Sequence, residues 1–327
     1  MCNDKQTALP LTRLDDVAVL SVEGPDAATF LQGQVTCDAK GLGDGRMTLG
    51  AMCNAKGRTI AVFRLVHQGG RYLLVLRADM IEAVRRRLQM YVLRSRVTIT
   101  DARGKWRALG LLGAIDGAPA ETIGLTRTPA VGESASIPHG AAVLAVDETD
   151  KFMILAPPQA ASAIEDSLIR GGYAQRVSPT VWEQADIRDG IPTVTPATTE
   201  EFVPQMLNLD LVGGISFNKG CYTGQEIVAR THYLGSVKRR MHRFRADCTR
   251  LPEAGTRLYL DNDEAPAGRV VAAVALPCES GYDLLAIVTV EETPRGTIRL
   301  WSSAGPQIHG LPLPYFDDPV AAEGFAR

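Results

Sequence analysis

The chain has 327 residues, 45% of them hydrophobic and 22% charged, with a formal net charge of −2. This is ordinary globular composition, long enough for two or three domains and for a core that needs neither disulfide nor metal to fold. So small a net charge excludes an overall basic field that would draw the whole surface onto nucleic acid or anionic lipid, and any such partner has to be met by a local patch.

The six cysteines, Cys2, Cys37, Cys53, Cys221, Cys248 and Cys278, include no C-x-x-C pair. That argues against a zinc ribbon or a locally encoded cluster-ligand motif. His67, His139 and His309 are scattered, so no metal constellation is visible. The start, Met1-Cys2-Asn3-Asp4-Lys5, is polar, without the apolar core of a secretory signal. No apolar run approaches the ~18 residues a spanning helix needs. The expectation is a soluble cytoplasmic protein with reduced thiols, no metal and no membrane partner.

Along the chain, Val17 to Val22 reads as a strand, and Gly24-Pro25-Asp26 opens a helix that turns Phe30 and Leu31 inward. Residues 47–53 and 58–66 read as paired strands around a turn from Asn54 to Gly57, and Arg71 to Leu76 as a third. Asp79 and Glu82 fit a capping box for a helix whose Ile81, Val84, Leu88 and Tyr91 recur at helical spacing, with Arg85, Arg86 and Arg87 on its wet face. Val97 to Thr100 returns to strand. Phe152 to Leu155 and a helix from Pro157-Pro158 to Ile169, stopped at Gly171-Gly172, repeat the strand–helix pattern. The Pro- and Thr-rich stretch 192–204 is long for a plain connector. Beyond Arg240, short alternating segments at 258–260, 269–276, 284–290 and 297–301 predict a small all-β domain of barrel type.

The most informative stretch is 213–235, GGISFNKGCYTGQEIVARTHYLG. Thr223-Gly224-Gln225-Glu226 fits a capping box with Thr223 as N-cap. Cys221 then lies beside the positive end of a helix, with Lys219 two residues away, and both features favour a thiolate. Gly220 and Gly224 allow close backbone approach to a ligand. The alternative is that Cys221 is a small buried apolar residue, as a lone cysteine usually is.

Lys219-Gly220-Cys221-Tyr222-Thr223-Gly224-Gln225-Glu226 resembles the signature octapeptide of the YgfZ family of folate-binding proteins at all eight positions. Ile227-Val228-Ala229-Arg230 continues the likeness. So do Arg188-x-Gly190-Ile191-Pro192, Phe202-Val203-Pro204-Gln205-x-x-Asn208-Leu209 and Phe30-Leu31-Gln32-Gly33-Gln34-x-Thr36-x-Asp38. The resemblance spans most of residues 17–245. It implies the fold of the glycine-cleavage T-protein, a folate-dependent aminomethyltransferase: an α+β body of two interleaved ferredoxin-like modules at 1–235 and a C-terminal β-barrel at 236–327. It further implies a tetrahydrofolate or other reduced folate in a central apolar pocket. The implied function is support of iron–sulfur enzymes or their assembly proteins, including those that methylthiolate tRNA, with Cys221 as the working residue.

The same resemblance makes Gln34, Thr36, Asp38, Asn54, Lys56, Arg188, Gln205 and Asn208 the folate-binding candidates, though the loop and turn residues among them also suit turns. Cys53 reads as core. Two departures speak against ordinary aminomethyl transfer, which is the enzyme alternative. The T-protein's catalytic aspartate falls near Ala61-Val62, where no carboxylate stands, and Arg188 replaces a folate-contacting glutamate, with Asp189 as a partial substitute. The basic run Lys238, Arg239, Arg240, His242, Arg243 and Arg245 offers contact to tRNA phosphates or a folate polyglutamate tail, which would make an RNA-binding module a further alternative. Such a run also suits a solvated strand edge, where charge discourages pairing. His232 and Tyr233, after the signature, are within chain reach of Cys221.

Overall fold

The computed structural model describes residues 8–147, 150–235, 237–261, 263–277, 280–289 and 297–316. Cys2, Cys278 and Ser236 therefore lie outside the described residues, as does Val290 at the end of one expected strand. In chain order the first elements are β1 (Leu9–Arg13), β2 (Val17–Glu23), α1 (Ala27–Gln32), β3 (Arg46–Cys53), β4 (Thr59–Gln68), β5 (Arg71–Arg77), α2 (Ile81–Tyr91) and β6 (Thr98–Asp101). Then come β7 (Arg107–Leu112), α3 (Gly117–Thr122), β8 (Ser134–Ile137), β9 (Ala141–Asp147), β10 (Lys151–Ala156), α4 (Pro158–Arg170), β11 (Ala174–Arg176) and α5 (Pro179–Arg188). The last are α6 (Gln225–Tyr233), β12 (Arg239–Ala246), β13 (Arg257–Leu260), β14 (Pro266–Ala275), β15 (Tyr282–Thr289), β16 (Ile298–Leu300) and β17 (Ile308–Leu311).

The strands form three sheets, ordered β11-β1-β7-β10-β9-β8, β3-β4-β5-β2-β6 and β16-β13-β14-β15-β12-β17. The chain divides into two compact units, one of residues 1–31, 39–48 and 63–182, the other of 32–38, 49–62 and 183–327. The boundary drawn from sequence at 235/236 falls inside the second unit.

In the first unit the interleaving is visible at β1. It precedes β2–β6 in sequence, yet pairs antiparallel with β7 and parallel with β11 in the other sheet. Glu165 of α4 is buried and takes Arg13 at 2.6 Å and Arg176 at 2.8 Å. The helix is thereby tied to β1 and the end of β11, and the two guanidinium groups hold the carboxyl below its ordinary range against the penalty of burial. One apolar cluster joins Val19, Val66, Leu73 and Val75 of one sheet to Ala108, Leu144, Met153 and Leu155 of the other. Helix α2 buries Ile81, Val84 and Leu88, as their spacing requires. Its capping box does not form: Asp79 accepts hydrogen bonds from Arg77, and Glu82 holds Arg85 and Arg86. Ionised guanidinium donors within reach outcompete neutral backbone N–H groups for a carboxylate.

In the second unit the all-β expectation is met by a six-stranded sheet that curls until its edge strands approach. Arg299 forms an isolated bridge with Gln307, and Leu300 N donates to Pro306 O at 2.9 Å. The period-2 alternation of β15 decides its two faces. Leu284, Ala286 and Val288 enter a cluster with Phe244, Leu258, Val270 and Leu300. Leu285 and Ile287 enter another with Ala51, Ile187, Leu207, Val228, Met241 and Leu313. The basic run is an edge only in part: β15 pairs with all of Arg239 to Ala246, and β17 covers the other side from Arg243 to Ala246.

Candidate functional site

The segment 33–37 is bonded along both flanks. On one flank Thr36 N donates to Ala51 O at 2.9 Å, and Val35 bridges Met52. On the other Ser216 N donates to Thr36 O at 2.9 Å and Thr223 N to Gly33 O at 3.2 Å. The Thr36 hydroxyl, fully buried, donates to Gly214 O at 2.6 Å and accepts from Ala51 N at 2.9 Å. Thr36 is thus the pin that joins β3 to the strand-like stretch leading to Cys221.

Lys219 completes the clamp. Its ammonium donates to Val35 O at 2.6 Å and Cys37 O at 2.8 Å and lies 4.9 Å over the Tyr222 ring. Burial lowers its pKa to about 8, which leaves the charge in place at neutral pH. The structure thus commits this ammonium to two backbone carbonyls and a ring. Tyr222 is buried, and burial pushes its phenol up.

The capping box expected at Thr223 does not form. Helix α6 begins at Gln225 behind Gly224, which takes a left-handed conformation at φ 86°. Gln225 supplies the side-chain contact instead, its Oε1 accepting from Tyr222 N at 3.2 Å. Glycine is required at 224 for packing as well as for φ. A Cβ there would meet the Asn54 carbonyl oxygen and stand 3.0 Å from Gly57 Cα. The 54–57 turn is itself closed by Asn54 Oδ1, which accepts from Lys56 N at 2.9 Å and Arg58 N at 3.0 Å. Turn and helix start are therefore packed glycine on glycine.

Cys221 sits on the crest of this loop, between the anchored Lys219 and Tyr222, and is the exposed free cysteine among those described. Cys37 and Cys53 are buried beneath, and burial pushes both thiols up to about 12. The expectation that Cys53 is core is met.

Gln205 and Asn208 belong to a different network. Both are fully buried. Gln205 Nε2 donates to Val228 O at 2.6 Å, which fixes α6, while its Oε1 is buried without a hydrogen-bond partner among the described residues. Asn208, left-handed at φ 57°, donates to Met241 O at 2.7 Å and to the Tyr315 hydroxyl at 3.1 Å, and accepts from Arg240 at 3.3 Å. Arg240 makes a bidentate pair with Asp210 at 3.0 and 2.8 Å, and Tyr315 donates to Gly190 O at 3.0 Å. Nothing in the local sequence signals this knot except the Asn208-x-Asp210 spacing, because Arg240 and Tyr315 reach it from far along the chain. His242, on the same strand, stacks on Phe316 at 5.1 Å, and burial together with Arg240 lowers its pKa to about 4.

The remaining candidates are more open. Lys56 and Arg188 are exposed, Arg188 standing 3.8 Å from the buried Asp189. Gln34 is half-buried, and Asp38 accepts from Gln32 at 2.8 Å. Ala61 is buried and Val62 half-buried, the latter against the apolar cluster of Ile187 and Leu207. Within the basic run, Arg243 pairs with Asp283 at 2.7 Å and Arg245 with Asp247 at 3.5 Å, while Lys238 and Arg239 are exposed. His232 and Tyr233 form the last turn of α6 and gather with Phe217. Among the described residues there is no group of three or more His, Cys, Asp or Glu that could hold a metal, and no helix long and apolar enough to cross a membrane.

The fold is that of the glycine-cleavage aminomethyltransferases. The glycine cleavage system aminomethyltransferase T from Bartonella henselae matches with a TM-score of 0.77 at 17% identity, over 95% of this chain and 87% of that one. Residues 7–116 match the GCVT N-terminal domain family. Within that class the similarity narrows. The tRNA-modifying protein YgfZ of Pectobacterium carotovorum is 33% identical over 316 residues, 95% of this chain and 92% of the relative. Its counterpart in Klebsiella pneumoniae is 33% identical over 317 residues, 94% of each chain, and that of Vibrio atlanticus 36% over 239 residues, 73% of this chain and 70% of the relative. The chain belongs to the YgfZ family.

Proposed function

We propose that this protein is a cytoplasmic accessory factor in tRNA modification, which binds a reduced folate and supports iron–sulfur enzymes through the thiol of Cys221. The observation that carries the proposal is the display of that thiol. It stands exposed on a loop whose neighbours on both sides are fixed by Lys219, Tyr222 and Thr223, within an octapeptide that resembles the signature of a family whose members are named for tRNA modification. A pinned backbone holds the sulfur in one place while leaving it open to a large partner, which suits exchange with another macromolecule better than chemistry in a closed pocket.

The residues fit a folate in a divided way. Thr36, Asn54 and Asn208 spend their polar atoms on the walls. The buried Gln205 Oε1 offers an acceptor to a pterin amine or amide N–H, and Lys56 and Arg188 offer cations to glutamate carboxylates. The aminomethyltransferase alternative lacks its carboxylate, since Ala61 and Val62 can handle neither charge nor a proton.

The test is complementation. A deletion strain restored with wild type should recover its methylthiolated tRNA by mass spectrometry, and one restored with Cys221→Ala at equal protein level should not. Full restoration by the alanine variant would remove Cys221 from the mechanism. Turnover of a methylamine donor with tetrahydrofolate by the purified protein would favour the enzyme alternative.

A further inference from the structure

The ring cluster formed by Phe217, on the stretch leading to Cys221, and by the last turn of α6 is open to solvent at His232 and Tyr233. Phe217 and His232 stack with centroids 3.7 Å apart and planes 13° from parallel. Tyr233 stands edge-on to both, at 6.2 Å from Phe217 and 4.7 Å from His232. Phe217 also packs against the apolar cluster that holds Leu207, Val228 and Met241, so the platform is rooted in the unit's core. Its outer members are exposed, with Tyr233 at 64% and the adjoining Leu234 at 85% of full accessibility. Three rings so placed expose a rigid π surface, because aromatic side chains lose little conformational freedom on binding.

The charge around the rings says what would cover them. Arg230 precedes His232 by two residues on the same helix and is exposed, and the exposed Lys238 and Arg239 follow within six residues of Tyr233. No acidic residue occurs between Glu226 and Asp247. Arg240 and Arg243 are held by Asp210 and Asp283, whereas Arg239 at the start of β12 is exposed. A π surface with exposed cations on its own helix and at the start of the following strand suits successive unpaired bases stacked on the rings, with their phosphates drawn to the cations. An apolar protein surface would need no cations, and a duplex keeps its base faces covered.

We infer that Phe217, His232 and Tyr233, with Arg230, Lys238 and Arg239, form a binding surface for unpaired RNA, such as a loop. This rests on the RNA-directed part of the function proposed above and assigns it a surface.

The test uses the full-length purified protein and fluorescence anisotropy with a fluorescein-labelled RNA 10-mer of mixed sequence, against a blunt duplex of the same length. The single strand should bind more tightly. Tyr233→Ala should weaken it about tenfold, Tyr233→Phe should restore it, and Lys238→Ala with Arg239→Ala should reduce the salt dependence by about two phosphate contacts. Circular dichroism melting confirms that the exposed-site variants remain folded. Absence of binding, equal binding of the duplex, or an unchanged affinity in Tyr233→Ala would each overturn the inference. Absence of RNA binding together with direct binding of a purified iron–sulfur enzyme through Tyr233 would assign the rings to a protein partner. Because the assay reads binding and not restoration of modified tRNA, its failure leaves the Cys221 proposal standing, and the failure of complementation leaves this one.

Discussion

Two neighbourhoods of the second unit use polar residues in opposite ways. Around Arg240, a guanidinium, a carboxylate, a carboxamide and a phenol satisfy one another below the surface. Around Cys221, Lys219 and Thr36 are equally saturated, but what they hold in place is an exposed side chain that takes no part in the network. A polar residue near a site is therefore no guide to function until its bonds are accounted for. Saturated groups build the frame, and the group that the frame presents is the one to which the proposed function is assigned.

The widest gap between the two neighbourhoods should be thermodynamic. Asp210→Ala leaves the Arg240 guanidinium, 18% exposed, without its carboxylate, and is expected to cost on the order of 3 kcal/mol in urea unfolding. Arg239→Ala, one residue away and exposed, should stay within about 0.5 kcal/mol. Equal costs would mean that the knot is not what secures β12.

The frame of the loop can be broken from the backbone. Gly224→Ala must adopt a left-handed φ and displace the Asn54 carbonyl, and a loss of about 2–3 kcal/mol is expected in thermal melts. Gly57→Ala should behave alike, because its Cβ would stand 2.8 Å from Ile227. A neutral result at both sites would show that the turn and the helix start can part without harm. Lys219→Met removes two charged hydrogen bonds and strands two carbonyls, for a loss on the order of 2 kcal/mol. It should speed amide hydrogen exchange at Thr36 and Ser216 more than elsewhere.

Acid should attack the other neighbourhood selectively. His242 binds its proton at about 4 when folded and near 6.5 when unfolded. Between those values the unfolded chain takes up more protons, so the contribution is present above pH 6.5 and is lost as pH falls towards 4. About 2 kcal/mol should disappear between pH 7 and pH 5, and His242→Phe, which keeps the stack on Phe316, should remove that part of the pH dependence.

The smallest effect on stability belongs to the residue on which the proposed function rests. Cys221→Ser, on an exposed crest, should change stability by less than about 0.5 kcal/mol. Brief iodoacetamide treatment of the native protein should label Cys221 well before Cys37 or Cys53, whose thiols are buried and held near 12. Equal labelling of the three would contradict the contrast between frame and presented group.

Much of the fold could be read along the chain, because its signals are local. The alternation in β13 to β16 and the spacing of Ile81, Val84 and Leu88 placed strands and a helix where they occur. Both capping boxes failed for the same reason. A short polar side chain matches the motif by spacing alone, whereas its partner is chosen by what lies near it in space. Asp79 found Arg77, and at α6 the left-handed Gly224 with Gln225 behind it took the place given to Thr223. Half of the candidate site could not be apportioned from sequence either. Thr36 and Asn208 are polar in any reading, and only their bonds to Gly214, Ala51 and Met241 show them to be structural pins.

The sequence by itself determined the family, through an octapeptide at 219–226, and singled out Cys221 as the residue to watch. It also determined the strand and helix pattern, since hydrophobic period is a property of neighbours along the chain. The tertiary structure alone decided that Lys219 faces the carbonyls of Val35 and Cys37, that Arg240 and Arg243 are held by Asp210 and Asp283, and that Phe217 meets His232 and Tyr233. Each is a contact between residues separated along the chain. Their energies depend on distance and burial, which the order of residues does not contain until the chain has closed on itself.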